Sequence, residues 1–182
     1  SKKSVDNSIQ SVTNAIDSGA DMVEVDVRKT KDSQIICFHD SDIGGVLIKD
    51  LNYSDIIKIN AQIPTLEQIL WSTKGKISME VELKESGYEA DVIAMVLDYF
   101  NYDEFVIKSF NYRTIKNVKE IDKRVYAGLL LGSDYTMEQL KVILYESFTL
   151  DKFLFSQADF ISAYYKIFTA GFLFKFVKQQ VP

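Results

Sequence analysis

Residues 22–28, MVEVDVR, and residues 76–84, KISMEVELK, decide the fold. Side chains alternate between the two faces of a strand, so Met22, Glu24 and Asp26 share one face of the first stretch and Val23, Val25 and Val27 the other. In the second stretch Ser78, Glu80, Glu82 and Lys84 stand opposite Ile77, Met79, Val81 and Leu83. Each reads as a strand with an apolar face to bury and a charged face to present. Between them, IICFH at residues 35–39 puts Ile35, Cys37 and His39 on one face, so the only histidine of the chain falls at the C-terminal end of a strand. That is where α/β proteins build their sites.

Working outward, strands and helices alternate. A helix over 8–18 stops at Gly19, which suits a C-terminal cap. Strand 22–28, a turn at 31–33 and strand 34–38 follow, then a loop over 39–61 carrying Gly44-Gly45 and a short helix begun by Ser54. Pro64-Thr65-Leu66-Glu67 opens a helix through Trp71. Strand 76–83, helix 88–100, strand 104–108, helix 112–120, strand 124–130, helix 136–145, strand 152–155 and helix 161–178 complete the pattern. Such alternation predicts parallel strands joined by right-handed crossovers. Six strands in 182 residues fit either an open doubly wound sheet or a (β/α)8 barrel lacking strands, since a closed barrel runs to about 250 residues. Central strands of doubly wound sheets are apolar on both faces. Two strands with one whole face charged suit the mouth of a TIM-type barrel instead.

Composition narrows the function. A net charge of −5 argues against nucleic acid as partner, because affinity for phosphate backbones comes mainly from Lys and Arg. No apolar run reaches the length of a membrane span. No glycine-rich phosphate loop follows a strand. The single cysteine, Cys37, sits in an apolar strand and reads as packing rather than nucleophile.

The stretch from Val5 to Asp40 resembles the glycerophosphodiester phosphodiesterase family. Val5-Asp6-Asn7-Ser8 stands for its PENT segment, Gly19-Ala20-Asp21 for GAD, Glu24-Val25-Asp26 for the E-x-D strand, Thr30-Lys31-Asp32-Ser33 for TKDG and His39-Asp40 for the HD pair. Ile63-Pro64-Thr65-Leu66-Glu67 resembles IPTLEE, Glu82-Leu83-Lys84 the E-x-K strand end, and Ser109-Phe110 the SF pair. The likeness is strong before Lys84 and weak after Leu131.

The resemblance implies hydrolysis of glycerophosphodiesters to glycerol 3-phosphate and an alcohol. It further implies that Glu24, Asp26 and Glu82 hold a divalent cation, Mg2+ or Ca2+, that His39 is one of two acid–base histidines and that Lys84 lies near the phosphate. Hard carboxylate oxygens suit such a cation, which polarises a phosphoryl oxygen, while a histidine handles the proton. The family's other histidine, in an HR-G motif upstream, and its last strand, V-x-V-W-T-x-N, have no counterpart in residues 1–182. The expectation is therefore a single-domain α/β TIM-type (β/α)8 barrel lacking its first and last strands, incomplete at both ends, with edges exposed beside 22–28 and 152–155. Membrane association would then come through segments outside it. The arginine usual after the HD pair is not found in residues 41–45.

Two acids on a strand commonly sit on a solvated surface, and a lone histidine is commonly structural. The ordered motifs around Glu24, Asp26 and His39 favour chemistry. Glu82 with Lys84 also reads as a simple ion pair, and Glu80 as an acid beside the site or on the surface. The aromatic run Tyr164, Tyr165, Phe168, Phe172, Phe174 and Phe176 reads as packing rather than a membrane-lying face. Two other functional classes compete: a non-catalytic module binding glycerophosphate or cell-envelope polymers, and a half-domain completed by a partner chain. A phospholipase D-like barrel of the sphingomyelin-cleaving kind is the rival within hydrolases.

Overall fold

In the computed structural model, which describes residues 6–132 and 151–163, helix α1 (Ile9–Asp17) begins where a complete capping box is encoded. Ser11 N donates to Ser8 Oγ and Ser8 N donates to Ser11 Oγ, both at 3.1 Å, which satisfies two amides the helix leaves open. The chain leaves α1 through Gly19, whose φ of +75° is left-handed backbone that glycine adopts without a Cβ penalty.

The chain divides into two compact units, Ser1–Val106 and Ile107–Pro182. In the first, strand β1 (Met22–Lys29) pairs with β2 (Ile35–Cys37) on one side and with β5 (Ser78–Leu83) on the other. A two-stranded hairpin, β3 (Asp42–Ile43) and β4 (Val46–Leu47), follows β2, then helices α2 (Tyr53–Ile59) and α3 (Leu66–Thr73); α4 (Glu89–Leu97) follows β5. Val25, Val27, Met79, Val81 and Leu83 are fully buried, at roughly 1.5–3 kcal/mol for each large side chain. The apolar face inferred for these two strands is the one that packs. Thr65 caps α3 by a second capping box with Gln68.

The β1–β2 pair is antiparallel, against the expectation of parallel strands throughout. Only Thr30–Gln34 separates the two strands, and a parallel crossover needs about a dozen residues. Thr30 closes this turn, donating its N–H to Gln34 O at 2.9 Å and receiving Gln34 N at Oγ1 at 2.9 Å. Pairing with β2 at Val27, Arg28 and Lys29 means that this end of β1 is not the free edge expected beside 22–28. Ile36, Ile48, Ile56 and Ile63 bury together beneath Phe38, Ile43, Leu51 and Tyr53, anchoring the chain on either side of His39.

The second unit takes up strand β6 (Phe105–Ser109), which crosses the division, and continues with α5 (Tyr112–Ile121), β7 (Ala127–Leu131), α6 (Asp151–Ser156) and β8 (Phe160–Ala163). Strands β6, β7 and β8 are parallel. Residues 152–155, expected as a strand, are helical; the strand lies at Phe160–Ala163, where a helix was expected to begin. Phe153 and Ser156 bury while Leu154 and Phe155 stay exposed, the i, i+3 spacing of a helix face. Gln157, with φ +57°, ends that helix where a glycine would have announced the turn. The expected helices over 136–145 and beyond residue 163, with the aromatic run at 164–176, lie outside the described residues.

Lys119 locks this unit. Its buried ammonium donates to Lys123 O, Val125 O and Asp159 Oδ2 at 2.9, 2.8 and 2.7 Å, and Asp159 Oδ2 also accepts from Ala127 N at 2.8 Å. Beside it, Gly128 pairs with Phe160 across β7 and β8, and a Cβ on Gly128 would fall on the Phe160 ring. The ring is stacked on Tyr126, which limits its escape. Gly128→Ala is expected to lower unfolding free energy by about 1–3 kcal/mol, the usual cost of overpacking. Urea denaturation reads this directly, and an unchanged midpoint would mean that the ring turns aside freely.

Candidate active site

Strands β1 and β5 are parallel and in register, with Glu24 opposite Glu80 and Asp26 opposite Glu82. Paired positions put their side chains on the same face, so four carboxylates gather on the face that does not bury Val25 and Val81. Lys84 follows β5 and reaches back. Its ammonium holds Asp26 Oδ1 at 2.8 Å and Glu82 Oε1 at 2.7 Å, with all three side chains largely buried.

The electrostatics follow from that arrangement. Burial alone would raise the Asp26 carboxyl, but hydrogen bonds from Lys84 and Asn7, with the nearby charge of Lys84, hold it below the ordinary carboxylate range. Glu82 goes the other way: burial raises it, the charges of Asp26 and Glu24 add to that, and Lys84 only partly opposes them. Burial works against the Lys84 ammonium, yet its two carboxylate partners outweigh that and raise it. One ammonium is thus shared between two largely buried carboxylates.

His39 stands just past β2, with its side chain 67% exposed and Nδ1 at 2.8 Å from Asp40 Oδ1. An ionised carboxylate only accepts, so Nδ1 carries the proton in this contact and Nε2 is left for proton exchange. The backbone of His39 is fixed from β1. Arg28 Nε and Nη2 donate to His39 O at 2.9 and 2.6 Å, and the same guanidinium pairs with Glu85. Glu85 Oε2 in turn accepts from Tyr88 Oη at 3.0 Å. Cys37 is buried, and burial followed by the charge of Asp26 pushes its thiol up, so it packs rather than reacts.

The structure therefore brings Asp26, Glu82 and Lys84 into direct contact, and the charge of Glu24 acts on Glu82. Among the described residues, no group of three or more His, Cys, Asp and Glu side chains lies close enough together to hold a metal ion. The donor type still suits a hard divalent cation, because Glu24, Asp26 and Glu82 all offer carboxylate oxygens. Ser109, of the SF pair, is buried in the second unit and accepts Asn111 N at 3.2 Å.

Two residues at this site were given no role from the sequence. Arg28 shares the face of Glu24 and Asp26 by strand parity, which was a readable signal. Asn7 bonds to both the carboxylate and the amide of Asp26, which no spacing rule reveals.

A model of the glycerophosphoryl diester phosphodiesterase family matches residues 1–178, and the chain belongs to that family. Members generally depend on a divalent cation. The chain is 26% identical to a glycerophosphodiester phosphodiesterase of Caldanaerobacter subterraneus subsp. tengcongensis, over 86% of this chain and 73% of that protein. It is 28% identical to YhdW of Bacillus subtilis (strain 168) over 72% of this chain, and spans 63% of that relative's length. Among solved structures, it superposes with a TM-score of 0.75 on an Oleispira antarctica phosphodiesterase in complex with the product sn-glycerol-3-phosphate, at 18% identity over 96% of this chain and 75% of the other. A glycerophosphodiester phosphodiesterase from Parabacteroides distasonis gives a TM-score of 0.71 at 24% identity, over 92% of this chain and 70% of that one. The fold class is thus α/β of the TIM-barrel type. Among the described residues no helix is long and apolar enough to cross a membrane.

Proposed function

We propose that this chain carries the site of a metal-assisted phosphodiesterase that hydrolyses glycerophosphodiesters to glycerol 3-phosphate and an alcohol. The observation that carries this reading is the in-register pair Asp26 and Glu82 bridged by Lys84, with His39 fixed through its carbonyl by Arg28 from the same strand as Asp26. The Oleispira antarctica neighbour, with its bound sn-glycerol-3-phosphate, supports the same product.

Each residue has a task that its chemistry suits. Glu24, Asp26 and Glu82 would hold Mg2+ or Ca2+, which when bound supplies neutralising charge and polarises a phosphoryl oxygen. Lys84, positively charged and held between two carboxylates, is placed to attract the phosphodiester. His39 passes a proton at Nε2, either from the attacking oxygen or to the alcohol as its P–O bond breaks. Its exposure leaves that nitrogen open to solvent and substrate.

Hydrolysis of glycerophosphocholine with Mg2+ or Ca2+ present is the test, run beside calorimetric titration of the same cations. Glu24→Gln and Asp26→Asn are expected to weaken cation affinity and turnover together. Unchanged affinity in both variants would remove the carboxylates from the role assigned to them. Binding of glycerol 3-phosphate without any cleavage would favour the non-catalytic module instead.

A further inference from the structure

Asn7 precedes α1 and does two things at once for a residue far along the chain. Its Nδ2 donates to Asp26 Oδ2 at 2.8 Å, and its Oδ1 accepts the Asp26 backbone N–H at 2.8 Å. The second bond settles which way the amide points, because only the oxygen can accept from a backbone N–H. The NH2 group therefore faces the carboxylate. Asp26 Oδ1 is taken by Lys84, so its two oxygens are held by different partners, one before α1 and one after β5.

The backbone adds a second constraint. Asn7 has φ +58°, a left-handed conformation that asparagine tolerates better than most residues. The Ser8 capping box starts α1 at the very next residue, which holds this conformation in place. A position that requires both left-handed backbone and a carboxamide is specified for asparagine.

We propose that Asn7 is a positioning residue that fixes the carboxylate of Asp26 for cation binding; this rests on the reading given under Proposed function. Outer hydrogen bonds to ligating carboxylates typically change metal affinity by about 10- to 100-fold. Asn7→Gly keeps left-handed backbone accessible while deleting the amide, so fold and positioning separate. Ser8→Ala is the converse control: it removes the α1 cap and keeps the Asn7 carboxamide.

The experiment measures Mg2+ and Ca2+ affinity by calorimetry, kcat and KM on glycerophosphocholine, and thermal midpoints in EDTA, all in the full chain. Asn7→Gly is expected to lose about 10- to 100-fold in cation affinity while remaining folded in EDTA, and excess cation should restore part of kcat. Ser8→Ala should show a lower midpoint and wild-type affinity. Wild-type affinity and kcat in Asn7→Gly would overturn the assignment, as would parallel loss of affinity and midpoint in both variants. Should the wild type neither bind cation nor cleave the diester, the functional reading fails in the parent protein, before any variant is compared, and the assignment falls with it.

Discussion

His39→Ala is expected to lower turnover of glycerophosphodiesters by roughly 10²–10⁴, the usual contribution of a positioned general acid or base, while the fold stays intact. The separation between activity and fold comes from how the residue is held. Arg28 grips the backbone carbonyl of His39, not its ring, so truncating the side chain leaves those bonds in place. The imidazole itself is 67% exposed and its polar contact is with Asp40, 70% exposed. Losing such a surface contact usually changes stability by within about 0.5 kcal/mol. Circular dichroism and thermal melting should therefore be nearly unchanged while kcat falls. Full activity in His39→Ala would make the residue structural and remove the proton-transfer role.

Much of the site was legible because it is built on local period. The alternation in β1 and β5 reports which face buries, and Asp26 opposite Glu82 is what two such strands in parallel register produce. The capping boxes at Ser8 and Thr65 are equally local. Where the reading failed, a competing local signal won. The short Thr30–Gln34 connection called for an antiparallel β2, but the general rhythm of strand and helix pointed to parallel pairing. The Gly44-Gly45 pair was read as loop; with φ +63° and +81° it makes the tight turn of the β3–β4 hairpin, the pattern that two glycines favour. Residues 152–155, two aromatic and one aliphatic side chain beside a lysine, have no periodicity long enough to separate strand from helix. Asn7 was legible as a position in the PENT-like segment, but its role was not, since its partner is set by tertiary structure.

Lys84→Met should destabilise the chain by on the order of 3 kcal/mol in EDTA, toward the low end for removing one partner of a buried ion pair. Methionine keeps length and burial but leaves Asp26 and Glu82, 14% and 7% exposed, facing each other without the ammonium between them. Two features hold the cost down: Asn7 still donates to Asp26, and Glu82, already raised by burial and by Asp26 and Glu24, can relieve the repulsion by taking up a proton. The lysine's own titration fixes the pH window. Its folded value lies above the ordinary 10.5, so its contribution is complete below that pH and is lost only as the pH rises through the raised value. The lysine's own contribution should thus be level from neutral pH to about pH 10, and any slope in the gap below that reports proton uptake by Glu82 in the variant. Divalent cation makes the prediction discriminating. If the carboxylates bind Mg2+ or Ca2+, a cation that prefers the folded state stabilises it by mass action, and the variant, stripped of its internal cation, should gain more from millimolar metal than wild type does. Turnover should stay low even so, because the charge assigned to attracting the phosphodiester is gone. Urea denaturation of both proteins with and without cation measures every part of this. A variant as stable as wild type in EDTA would show that Lys84 does not neutralise this cluster, and equal stabilisation by metal would separate the lysine from the cation site.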